Sequence, residues 1–156
     1  CAWVVDELGF DACLDHRAPD FYEQLKAATP QRVDVYFDNV GGAVLDAVLK
    51  RLAGHARVVL CGAIAVYNAE EKQPGPANYL ELITQRATMT GFNTFDHWDR
   101  FGAITDELAG WIAEGRIRHR EHVLEGLERA PEALDMLFTG ENLGKLLVRV
   151  ADSYPD

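Results

Sequence analysis

Apolar residues fall along this chain in two alternating rhythms. In "VDVYFD" (33–38) and "ARVVLCGAI" (56–64) they run almost unbroken and are rich in valine and aromatics, the pattern of strands buried on both faces. In "AVLDAVLKRL" (43–52) they recur as Val44, Leu45, Val48, Leu49 and Leu52, one stripe of an amphipathic helix. The spacing therefore predicts strands at about 33–38 and 57–62, parallel to each other, with a helix over 43–53 crossing between them.

The same rhythms continue on either side. "CAWVVDELGF" reads as the end of a helix that stops at Gly9. "DACLDH" (11–16) reads as a short strand and "PDFYEQLKAATP" (19–30) as a helix, with Asp20 and Glu23 at capping-box spacing. "AVYNAEEKQPGPANYLEL" (65–82) reads as a surface loop opening into a short helix at "NYLELITQR" (78–86), and "ATMTGFNTF" (87–95) follows as a strand. A long amphipathic helix is expected through Phe101, Ile104, Leu108, Trp111 and Ile112. After it come a strand at "REHVLEGLE" (120–128), a helix with Pro131 near its start and Gly140 past its end, and a closing strand at "KLLVRVAD" (145–152). Strands alternating with helices over short joins predict an α/β sheet, mostly parallel.

Composition narrows the function classes. A formal net charge of −10 speaks against a nucleic-acid or anionic-membrane surface, both of which need clustered Lys and Arg. Cys1, Cys13 and Cys61 are widely spaced and form no CxxC, which fits a reducing compartment better than a disulfide scaffold. No apolar run reaches membrane-span length, so a cytoplasmic protein is expected. His119 and His122 stand three apart on a segment read as extended, hence on opposite faces, and no metal site is expected. The chain opens at Cys1 in what reads as mid-helix, which suggests a fragment.

Two strand ends carry unusual chemistry. One runs Asp38-Asn39-Val40-Gly41-Gly42, the other Cys61-Gly62-Ala63-Ile64. In an open α/β sheet, ligands sit outside the carboxyl ends of strands, and glycines there let backbone approach a flat ligand. The same residues also serve ordinary turns, and both readings stand at this point. Tyr67 follows on the same rim; it either packs the loop or presents a phenol to developing negative charge. Neither GxGxxG nor GxSxG occurs in the chain.

Taken in order, "VDVYFDNVGG", "CGAIAVYN", "GFNTF" and "GENLGK" resemble the medium-chain dehydrogenase/reductase superfamily, in particular its zinc-independent prostaglandin reductase, leukotriene B4 dehydrogenase or alkenal double-bond reductase branch. The resemblance implies an incomplete Rossmann-type doubly wound parallel sheet lacking its first strands. It divides the chain into a partial dinucleotide-binding domain, 1–115, and a C-terminal segment, 116–156, that packs on an absent GroES-like catalytic domain. It implies NADP(H) as cofactor, an enone or alkenal as substrate, a homodimer, and reduction of the conjugated C=C bond by the parent enzyme. Asn39, Gly41, Cys61, Gly62, Ala63, Ile64, Tyr67, Phe92, Thr94 and Asn142 are then cofactor-binding positions, with Tyr67 also catalytic. A glycine-rich pyrophosphate turn is expected upstream of these residues, and without it the 156 residues alone are expected to be inactive. Two alternatives remain: a dinucleotide-binding remnant without activity, and a quinone reductase of the same superfamily. A methyltransferase-like fold would require an acid-tipped second strand that the chain does not offer.

Overall fold

The computed structural model describes residues 1–69, 71 and 73–151. Glu70 and Lys72 of the expected loop, and Asp152 at the end of the expected last strand, lie outside the described residues. The chain divides into two compact units, Cys1–Phe101 and Gly102–Asp156.

In the first unit the short helix α1 (Ala2–Asp6) and α2 (Phe21–Ala28) precede β1 (Val33–Asp38), α3 (Gly42–Leu49), β2 (Leu52–Leu60), α4 (Glu81–Gln85) and β3 (Thr88–Gly91). The sheet order is β1-β2-β3, and both pairings are parallel. From Val35↔Arg57 to Asp38↔Leu60 the register is regular. Below that, β2 runs through Ala53, Gly54, His55 and Ala56 while β1 passes only Asp34, so β2 bulges, with His55 in the left-handed region at φ 63°.

One face of this sheet makes the core. Leu45, Val48 and Leu49 of α3 and Leu25 of α2 close over Leu52, Ala56 and Val58. Alternation along β1 sends Tyr36 and Asp38 to the same side, whereas Val35 and Phe37 on the opposite face are 55% and 54% exposed.

The strand-helix-strand expectation for 33–62 holds, with shifted bounds. The helix ends at Leu49, short of 53, and Leu52, expected on its stripe, opens β2 fully buried. The change of course has a local cause. Val33 N donates to the Arg51 carbonyl at 2.8 Å, and the Arg32 side chain donates to the carbonyls of Leu52 and Lys50, so backbone acceptors after the helix are drawn to the chain before β1.

Other expectations are corrected. "DACLDH" is not a strand; Asp15 instead closes a turn, its Oδ1 accepting from Arg17 N and its carbonyl from Ala18 N, each at 3.0 Å. The Asp20–Glu23 capping box does not form, because Asp20 Oδ1 accepts from Gln24 Nε2 at 2.8 Å. β3 stops at Gly91 rather than at residue 95, since Asn93 Oδ1 accepts from Phe95 N and starts a 3-10 helix over Thr94–Arg100.

In the second unit α5 (Phe101–Ala113, which begins at the boundary residue) leads to β4 (Glu121–Glu125), α6 (Ala130–Thr139) and β5 (Lys145–Arg149). β4 and β5 pair in parallel from Glu121↔Lys145 to Glu125↔Arg149. Ala133 and Met136 of α6 pack on Leu124, Leu146 and Val148. Pro131 lies in the first turn of α6 and Gly140 ends it at φ 73°, the asymmetry read from sequence. α5 buries none of its residues, although its spacing is amphipathic. No helix among the described residues is long and apolar enough to cross a membrane.

Candidate functional site

The two glycine-bearing strand ends lie side by side and are bonded to each other. Where β1 ends, the Asp38 carbonyl accepts from Cys61 N at 2.8 Å and Gly62 N at 3.1 Å. Ile64 N then donates to the Asn39 carbonyl at 3.2 Å and Ala65 N to the Val40 carbonyl at 3.0 Å. The chain leaving β2 is thus zipped along the chain leaving β1, outside the carboxyl edge of the sheet, where an open α/β fold places its ligands.

The turn after β1 depends on Asp38, which sequence reading left out of the site. The residue is 1% exposed, and its Oδ1 accepts from Tyr36 Oη at 2.9 Å, Val40 N at 2.9 Å and Gly41 N at 3.0 Å. Its Oδ2 is buried with no hydrogen-bond partner among the described residues. Burial, and then the bond to Asp38, push the Tyr36 hydroxyl above the usual phenol range, so it stays a donor. Gly41 sits at φ 70°, ψ −155°, a region open in practice only to glycine.

Gly62 serves a different need. A Cβ there would stand 3.2 Å from the Asn39 carbonyl oxygen and 3.3 Å from Tyr67 Oη, so its lack of a side chain admits both. Gly62→Ala is expected to displace the Tyr67 ring while leaving the sheet intact. A crystal structure of the variant checks this, and an unmoved Tyr67 would show that the loop absorbs the methyl.

Tyr67 follows a 3-10 turn, Ile64–Val66, and is 63% exposed. Its hydroxyl accepts from Ala63 N at 3.0 Å. An oxygen that accepts in this way keeps its own proton for a ligand. Asp38, Gly41, Leu60, Gly62, Ala63 and Tyr67 together line a cavity of about 300 Å³.

A larger space of about 830 Å³ opens beside it, between the first turns of α3 and Glu71 with residues 73–76. Asn78 ties the far end of that loop down: its backbone N donates to Asp46 Oδ1 at 2.9 Å and its Nδ2 to the Asp46 carbonyl at 3.1 Å. Neither Asp46 nor Asn78 gave a signal in the sequence, since a polar position on a helix and an amide in a loop are both commonplace.

The other candidate positions divide. Phe92 N donates to the Leu60 carbonyl at 2.8 Å, which carries the β3 end to the same sheet edge. The Phe92 ring stacks on His97 and meets Phe37 edge-on. Thr94 opens the 3-10 helix, exposed. Asn142 lies in the second unit, where its Nδ2 donates to the Gly144 carbonyl at 3.0 Å. His122 is in β4, and His119 stands 3.8 Å from Glu121. Among the described residues, no group of three or more His, Cys, Asp or Glu side chains is placed to hold a metal ion.

Comparison with known proteins adds a family. A model described as zinc-binding dehydrogenase matches residues 8–148. The NADPH-dependent curcumin reductase of Escherichia coli (strain K12) is 41% identical, aligned over 97% of this chain and 45% of its own length. The NADP(+)-dependent 2-alkenal reductase of Nicotiana tabacum is 38% identical over 93% of this chain and 42% of its own. Among solved structures, CurA from Vibrio vulnificus in complex with NADPH superimposes with a TM-score of 0.89 at 42% identity, covering 98% of this chain and 47% of that one. The chain spans less than half the length of these relatives.

Proposed function

The chain belongs to the zinc-binding dehydrogenase family, within the medium-chain dehydrogenase/reductases, and from that premise we propose that it forms part of an NADPH-dependent reductase of C=C bonds conjugated to a carbonyl. The observation that carries the reading is the pair of glycine-bearing strand ends, zipped together and overlain by a Tyr67 hydroxyl that accepts from Ala63 N and has no acceptor for its own proton among the described residues.

The residues fit the nicotinamide part of such a cofactor. Gly41 and Gly62 present no side chain to the cavity of about 300 Å³ that they line with Cys61, Ala63 and Tyr67, so main chain forms its edge. When bound, NADPH supplies a hydride for the β-carbon of the substrate. The contribution of this chain is to seat the ring against the rim and to offer the Tyr67 O–H to the carbonyl oxygen, where negative charge gathers. Phe92 and Thr94 complete the proposed cofactor-binding set within the first unit. The word zinc in the family description has no counterpart in the donor set among the described residues, and no step is drawn through a metal.

The test uses the full-length protein that carries this chain. NADPH is expected to bind, with enhanced nicotinamide fluorescence, and to be oxidised on addition of a 2-alkenal or a simple enone, with the saturated carbonyl compound as product. NADPH binding without turnover of enones, alkenals or quinones would favour the remnant reading, and turnover of quinones alone the quinone reductase. A homodimer and a cytoplasmic location belong to the same proposal; the exposed Val35 and Phe37 and the three free cysteines are compatible with them.

A further inference from the structure

Asp38 joins the two rims of the crevice through different atoms. Its side-chain Oδ1 gathers the amides of Val40 and Gly41, which turns the chain out of β1. Its main-chain oxygen gathers the amides of Cys61 and Gly62, which turns the chain out of β2. The side chain is then fixed from behind by the Tyr36 hydroxyl at 2.9 Å.

The conformation held in this way is one that glycine alone leaves free to change. At φ 70°, ψ −155° Gly41 has no side chain to hold it in place, and the turn lies close to Ala63, whose Cβ is 3.3 Å from where a Gly41 Cβ would stand. Hydrogen bonds from amides to a carboxylate are stronger than those to neutral acceptors, and buried amides left without a partner are costly. A single buried acid thus holds the gap between the strand ends at a set width.

We infer that Asp38 is a positioning residue for the dinucleotide crevice: by fixing the Asn39–Gly41 turn it keeps that rim open opposite Gly62 and Ala63 for the edge of the nicotinamide nucleotide. The inference rests on the cofactor reading above. Asp38 acts through the rim. Its loss therefore weakens the cofactor's seat more than it slows the reaction once the cofactor is seated.

The experiment is an NADPH fluorescence titration of the full-length protein, wild type, D38A and D38N, with Tm measured in parallel and binding read well below each Tm. D38A is expected to raise the Kd for NADPH about three- to tenfold and to raise KM for NADPH alike, with kcat at saturating NADPH changed much less. D38N keeps an oxygen for the same three donors but sets its Nδ2 where Oδ2 lies buried without a partner among the described residues, and is expected to recover part of the lost affinity. A purely structural acid would lower Tm in D38A and leave Kd and KM of the folded protein as in the wild type, which would overturn the inference; so would D38N binding as weakly as D38A. If D38A does not fold, Asp38→Ser is read in its place with the same expected rise in Kd, and failure of both to fold assigns Asp38 to the core alone and overturns the positioning role. A wild type that does not bind NADPH overturns the cofactor reading itself, and the role of Asp38 with it, whereas a wild type that binds beside an unchanged D38A overturns only the role of Asp38.

Discussion

Leu49→Ala is expected to lower the thermal unfolding midpoint of this chain by roughly 5–15 °C, the largest stability effect of any single truncation considered. Leu49 is 0% exposed and sits at the last turn of α3, packed with Leu45, Val48, Leu52, Ala56 and Val58. Truncating a buried leucine removes its transfer free energy and leaves a cavity, about 2–5 kcal/mol together. That is a large part of the 5–15 kcal/mol by which domains are stable. For a chain of this size each kcal/mol moves the midpoint by about 2–4 °C. Leu108→Ala is the control: Leu108 is 41% exposed on α5, and a surface truncation of this kind changes stability by about 0.5 kcal/mol or less. Calorimetry of the two variants decides the matter. A Leu49→Ala midpoint within 2 °C of the parent, or equal effects in both, would mean that the α3 packing against β2 is not what holds this unit.

Tyr67→Phe in the full-length protein is expected to lower kcat and kcat/KM together, by about ten- to a hundredfold. The geometry behind this is the Oη that accepts from Ala63 N at 3.0 Å and keeps its proton for a ligand. Removing one preformed donor to a developing oxyanion costs on the order of 10²–10³ in rate where the site is dry. The side chain here is 63% exposed, so water takes up part of the loss and the smaller range applies. An interaction made only in the transition state changes kcat and kcat/KM equally, whereas one made equally to the ground state appears in KM. Steady-state kinetics with a 2-alkenal at saturating NADPH separate these. Unchanged kcat with a lowered Tm would reduce Tyr67 to a residue that packs its loop, and the carbonyl oxygen would then have to find its hydrogen-bond donor elsewhere.

Much of the first unit was legible in the sequence because its strands and helix each carry a full local pattern. "VDVYFD" forms β1 to the residue, since an unbroken Val and aromatic run has few other outcomes. What failed were places where a hydrogen-bond partner outside the apolar pattern decides. Leu52 continues the helical spacing of α3, yet the chain before β1 captures the carbonyls around it and turns it into a strand. "DACLDH" has strand composition but no strand to pair with, so Asp15 makes a turn. The Asp20–Glu23 spacing suits a capping box, but a glutamine one turn on takes the Asp20 oxygen first.

The candidate site follows the same division. Gly41, Gly62 and Tyr67 suit ordinary turns and loop packing as well as a rim, and it was the four motifs in order that singled them out; the structure brings the three together at the strand ends. Asp38 was not singled out, although it lies in the same stretch. An acid closing a strand reads as a turn residue, and only the closed fold shows its carboxylate under the chain with three donors on one oxygen. The tie between Asp46 and Asn78 spans 32 residues and leaves no trace in either local pattern.

The buried residues of the larger core are, apart from Leu25, all contained between β1 and the end of β2. Strand, crossover and strand are contiguous there, so this segment meets the lowest loop-closure entropy in the unit and has its apolar contacts within reach from the start. The segment after it, which carries Gly62, Tyr67 and the loop tied at Asn78, contributes none of those fully buried side chains. The rim beyond β2 is therefore expected to open locally at a lower free energy than the scaffold, which hydrogen exchange would read as faster exchange of the Ile64, Ala65 and Tyr67 amides than of those of Val58 and Val59.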